Sequence, residues 1–124
     1  MKKVLFVLLF PLLIFSQAED IERYKIYPTE NNFISLQLDT MTGEIMQVQI
    51  STNEDAPLLS TLSDFDWGFE KGVIGQFKLY PTKNSYNFIM QDVTNGRVWQ
   101  VQWNVDPEYR FVTLIYETES MIEE

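Results

Sequence analysis

The chain has 124 residues, the length of one ordinary domain, with 45% hydrophobic and 15% aromatic content, enough to bury a core. It carries a net charge of −9 and contains neither histidine nor cysteine. An acidic body repels phosphate backbones and anionic lipid surfaces, so nucleic acid and membrane surfaces are excluded as partners. Without His or Cys there is no Ser-His-Asp or Cys-His nucleophile, no His-based zinc site, no thiol chemistry, no iron–sulfur ligation and no disulfide.

The chain opens with a secretory layout. Lys2 and Lys3 precede an apolar run over residues 4–15, and Ser16-Gln17-Ala18 offers small residues for cleavage before Glu19 and Asp20. Twelve residues broken by Pro11 would span only ~18 Å as a helix, against a hydrocarbon core of roughly 30 Å. Residues 1–18 are therefore expected to be a signal peptide, and 19–124 a single all-β domain. Loss of Lys2 and Lys3 would take the net charge from −9 to −11. Export to the periplasm or beyond is expected, with no stable membrane insertion. No cysteine follows the apolar run to carry a lipid, so the protein is not expected to be a lipoprotein.

An internal repeat dominates the remainder. Residues 23–50 align without a gap on 76–103 at an offset of 53, with identities that include Lys25/Lys78, Tyr27/Tyr80, Pro28/Pro81, Asp39/Asp92, Gly43/Gly96 and Gln47/Gln100. Each copy reads as strand, turn, strand, hairpin, strand. In the first strand Tyr24 and Ile26, or Phe77 and Leu79, share one face and the lysines take the other. Pro-Thr followed by Asn then makes a turn. The hairpin runs from Asp39 to Gly43 and from Asp92 to Gly96: Asp accepts from turn amides and Gly takes positive φ, as a type I turn closed by a glycine bulge requires. These four residues are read as turn chemistry. In the third strand Met46, Val48 and Ile50 alternate with Gln47 and Gln49, and Trp99, Val101 and Trp103 with Gln100 and Gln102, which predicts an apolar core face and an amide outer face. The second strand changes parity between copies, from Ile34, Leu36 and Leu38 to Tyr86, Phe88 and Met90. Either its register slips by one residue or it is buried on both faces; burial on both faces is the preferred reading.

Residues 52–72 are expected to be a linker, mostly loop with room for one helical turn, and 109–116 an extra C-terminal strand. The fold class is accordingly all-β: two tandem antiparallel meanders, related by a pseudo-twofold and packed as a small sandwich or partly open barrel. Trp99, Trp103, Met46, Ile50, Ile26 and Leu79 are the expected core.

The hairpins, residues 38–47 (LDTMTGEIMQ) and 91–100 (QDVTNGRVWQ), resemble those of uncharacterised small exported bacterial proteins with a DTxTGxxWQ-type repeat. Met46 stands where that pattern has Trp, and the second copy lacks Thr-x-Thr. The resemblance covers both repeats and implies no activity.

Candidate binding residues lie in the linker: Asp64, Asp66, Trp67, Phe69 and Glu70 put aromatic surface beside carboxylates, which suits a glycan or a protein partner. The spacing of Asp64, Asp66 and Glu70 is like the start of a calcium loop, but glycine falls at its fifth position and Gly75 at its twelfth, so no metal or cofactor is expected. The expected function is a non-enzymatic exported binding or protein-interaction module. Its alternatives are a small carboxylate-dependent hydrolase using the same acids and a structural subunit of an envelope assembly.

Overall fold

A computed structural model describes residues 22–52, 57–62 and 72–115. They form two four-stranded antiparallel sheets. Sheet 1 takes β1 (Tyr24–Pro28), β2 (Ile34–Asp39), β3 (Ile45–Gln49) and β4 (Leu58–Thr61) in that spatial order. Sheet 2 repeats the plan with β5 (Phe77–Pro81), β6 (Asn87–Asp92), β7 (Val98–Gln102) and β8 (Phe111–Leu114), the last preceded by a 3-10 turn at Pro107–Tyr109. The all-β architecture is as the sequence predicts: two meanders over a common core, not closed into a barrel. The expected signal peptide lies outside the described residues.

The repeat is longer than the sequence suggests. The segment expected to be loop contributes β4, and β8 follows it at the same offset of 53, so both copies are four-stranded. Pairing is equivalent throughout: Leu36 faces Tyr27 and Gln47, as Ile89 faces Tyr80 and Gln100. The turns match as well. Thr29 Oγ donates to the Ile34 carbonyl at 2.6 Å and Thr82 Oγ to that of Asn87 at 2.8 Å. Asn31 and Asn84 accept from the amides of Phe33 and Tyr86. At the hairpins, Gly43 and Gly96 sit at φ 82 and 81, and their amides donate to the carbonyls of Asp39 and Asp92. The Asp side chains accept from the amides of Met41 and Thr94. The residues identical between copies at these turns hold the backbone there.

The two sheets nevertheless bury opposite faces. Sheet 1 turns inwards Ile34, Leu36, Leu38, Ile45, Gln47 and Leu62, with Tyr27 partly covered. Sheet 2 turns inwards Phe77, Leu79, Phe88, Met90, Trp99, Val101, Trp103 and Val112. Shifted back by 53, the sheet 2 set falls on the outer face of sheet 1. The units are therefore stacked face to back, in a head-to-tail step, whereas a pseudo-twofold would bring equivalent faces together.

This geometry accounts for the change of parity in the second strand. There is no slip of register, and neither β2 nor β6 buries two apolar faces; each strand covers the core with the side its sheet turns inwards. It also corrects the expected core. Trp99, Trp103 and Leu79 are buried, but Ile26 and Ile50 are exposed and Met46 is only half-buried. In β3 it is Gln47 that lies inside.

Polar contacts fix the step between the sheets. The Phe77 amide donates to the Thr40 carbonyl at 2.9 Å, and the Gly75 amide to Thr40 Oγ at 3.0 Å. Gln47 Nε2 donates across the core to the Asn104 carbonyl at 3.0 Å. Arg110 reaches the same carbonyl from Nε at 2.7 Å and donates to Ser60 Oγ of β4 at 3.1 Å.

Candidate functional site

The acidic–aromatic group chosen from the sequence (Asp64, Asp66, Trp67, Phe69 and Glu70) lies outside the described residues. The described residues draw attention to the outer face of sheet 1. Cross-strand pairing places Tyr24 beside Asp39, Ile26 beside Gln37, Gln37 beside Met46, and Val48 beside Leu59 on that face. Tyr24, Ile26, Ile50 and Leu59 are each more than half exposed, and Met46 and Val48 are partly so. These are two strips of apolar side chains, one on β1 and one on β3 and β4, with Ser35 and Gln37 of β2 between them, on a sheet whose other face is already covered. Exposed apolar surface of this kind marks interaction surfaces on soluble proteins.

One end of the row is dished and charged. Tyr24, Gln37, Asp39, Glu44 and Met46 line a hollow of about 90 Å³. Arg23 clamps it from the strand start: Nε and Nη2 donate to the two oxygens of Asp39 at 3.3 and 3.2 Å, and the guanidinium lies 5.1 Å from the centre of the Tyr24 ring. Burial opposes ionisation of Asp39. The hydrogen bond from Arg23, the Met41 amide, the Thr42 hydroxyl and the Arg23 charge outweigh it, so the carboxyl stays below its ordinary value.

Asp92, fully buried at the equivalent place, has no arginine. Burial again opposes its charge, but the side chains of Thr94 and Gln76 and the amides of Thr94 and Asn95 hold its pKa down. Thr94 Oγ donates at 2.6 Å and Gln76 Nε2 at 3.0 Å. Both aspartates are thus kept ionised as acceptors of turn donors, which is the reverse of what a general acid needs. Among the described residues no group of three or more His, Cys, Asp or Glu is placed to hold a metal ion.

The far side of sheet 2 is an amide surface. Gln100 Nε2 donates to Asn87 Oδ1 at 2.7 Å, and Asn87 Nδ2 donates to Gln102 Oε1 at 3.4 Å, with Gln91 in the same row. Tyr80, Ile89, Phe111 and Ile115 stand exposed among them. A second hollow of about 170 Å³ lies between the two Pro-Thr turns, lined by Pro28, Thr29, Pro81, Thr82 and Asn84 among others. Its threonine hydroxyls are already donated to turn carbonyls.

The sequence contains the outer row in full, but its apolar alternation predicts a core-facing strand, and the same parity is indeed the buried one in the second copy. Among the described residues no helix is long and apolar enough to cross a membrane. No family model, no curated protein and no solved structure matches the chain.

Proposed function

We propose that the protein is a non-enzymatic, exported interaction module that binds a folded protein on the outer face of sheet 1. The observation that carries this reading is the exposed row of Tyr24, Ile26, Met46, Val48, Ile50 and Leu59 on a sheet already packed behind. Its apolar members are aliphatic but for Tyr24 and the thioether of Met46, Gln37 lies among them, and the rim carries Asp39 and Glu44. That composition suits the apolar centre and polar rim of a protein interface better than a sugar, which favours flat aromatic platforms. The export part of the reading rests on the layout of residues 1–18.

Site-specific photo-crosslinking tests the surface. A benzophenone-bearing phenylalanine in place of Ile50 is expected to give adducts of discrete protein mass in the envelope fraction. The same group in place of Asn95, exposed in the hairpin of sheet 2, is expected to give none. Equal adduct patterns at the two positions, or none at position 50, would remove this face from consideration.

A further inference from the structure

Face-to-back stacking leaves an unfilled step at each end. Within the chain, the face bearing Tyr27, Leu36 and Gln47 meets the face bearing Leu79, Met90 and Trp99. Both kinds of face recur turned outwards: Tyr80, Ile89 and Gln100 on the far side of sheet 2, and Ile26, Gln37 and Met46 on the far side of sheet 1. We propose that a second copy of this chain docks head to tail. The outer face of sheet 2 in one copy would meet the outer face of sheet 1 in the next, repeating the step already made inside the molecule. The inference rests on the reading of the sheet 1 face as an interaction surface, and it names the partner.

Two observations support it. First, Tyr27 and Gln47, which bond across the internal step, belong to a polar set that is repeated on the outside, whereas Thr40 and Arg110 of that step are not, Val93 and Pro57 standing at their counterparts. Tyr27, Gln47 and Gln49 are matched by Tyr80, Gln100 and Gln102, although one set points into the core and the other does not. Internally, the Tyr27 hydroxyl accepts from the Leu79 amide at 3.5 Å on the edge strand β5. Leu79 and Ile26 hold the same place in register, so the Ile26 amide points out of edge strand β1 in the same sense, available to Tyr80 of another copy. Second, the amides that would be covered are already bonded to one another through Asn87, which lowers the cost of drying them.

Asn87 and Gln91 replace Ile34 and Leu38, so the external step is weaker than the internal one and depends on concentration. A heterologous contact of this kind closes as a ring or continues as a filament.

Sedimentation velocity on the full chain, from micromolar to millimolar concentration, tests this with Ile50→Glu on one face and Ile89→Glu on the other, folding being checked by circular dichroism. The wild type is expected to gain mass with concentration. Each variant alone should stay monomeric, and an equimolar mixture of the two should form 1:1 dimers through the one intact pair of faces. If Ile89→Glu unfolds, Gln100→Glu places the same charge on that face. A wild type that remains monomeric at millimolar concentration overturns the proposal. So does a mixture that fails to pair while Ile89→Glu associates like the wild type, since the sheet 1 face would then be meeting itself. A monomer that still gives protein adducts from position 50 removes the self-association alone; loss of both signals removes the interaction reading as well.

Discussion

Gln47 offers a sharp test of the inverted stacking, because its replacement by an apolar side chain should stabilise the protein. The side chain is 1% exposed and its Oε1 has no hydrogen-bond partner among the described residues. A buried, unsatisfied acceptor costs about 1–3 kcal/mol, whereas the bond from Nε2 to the Asn104 carbonyl returns only about 0.5–1.5 kcal/mol net. Gln47→Met nearly conserves volume, removes the orphaned acceptor and leaves the Asn104 carbonyl satisfied by Arg110 Nε at 2.7 Å. The balance is a gain of about 1 kcal/mol. The companion Gln100→Met sits at the equivalent place on the outer face of sheet 2, where, among the described residues, the half-buried amide donates only to Asn87 and solvent can take its place, and should change stability by no more than about 1 kcal/mol. Urea unfolding measures both. With a slope of about 2 kcal/mol per molar, Gln47→Met should raise the midpoint by roughly 0.5 M. A fall in the Gln47→Met midpoint with no change for Gln100→Met would refute the argument, since it would show that Oε1 is satisfied in solution or that the amide is needed to join the sheets.

Two further predictions follow from the same asymmetry and from the turn carboxylates. Leu36 is 0% exposed and its counterpart Ile89 is 37% exposed, so Leu36→Ala should cost about 2–5 kcal/mol and Ile89→Ala no more than about 1, read from the same urea curves. Equal costs would mean that the two sheets bury the same face. Asp92 has a pKa below its ordinary value, so folding favours its ionised form. The stability it contributes is full above the unfolded carboxylate range and is lost as pH falls below about 4, through the folded value. Asp92→Asn should therefore cost on the order of 1–3 kcal/mol at pH 7, and the gap from wild type should narrow as pH falls below about 4; a gap that stays constant would mean the cost is steric.

The elements were legible in the sequence because their signals are local. Pro28, Asp39 and Gly43, with their counterparts, dictate where strands stop and turn whatever the sheet packs against, and the structure places the hairpins there. Position β4 was hidden because Leu58–Thr61 is short, follows Pro57 and lies on an edge, so little of it is buried. The choice of buried face was not legible from either copy alone. In β3, Ile45 and Gln47 compete with Met46, Val48 and Ile50, and by hydrophobicity the latter set should face the core. It does not, because the core is shared: sheet 2 presents Trp99, Trp103, Phe77 and Phe88, and Ile34, Leu36 and Leu38 of β2 are the larger complement. The signal that could have revealed this was the parity change in the second strand, where Leu36 and Phe88 already point to opposite faces of the aligned repeats.

That parity change also bears on why one amide tolerates both environments. Gln47 and Gln100 are identical in the repeat, yet one lies between the sheets and the other on the surface. A glutamine at this place is compatible with either setting, since its donor can reach a loop carbonyl of a neighbouring sheet or a side chain of its own. Leucine would favour the interior and lysine the exterior. Repeats stacked face to back commonly end in a polar outer surface that stops the stack. Here Asn87 and Gln91 supply that polarity on the central strand of sheet 2, and Ser35 and Gln37 do so on that of sheet 1, but the flanking strands differ: Gln100 and Gln102 on sheet 2 against Met46, Val48 and Ile50 on sheet 1. Of the two ends, sheet 1 therefore has more to gain from being covered, and interaction should be sought first on that face.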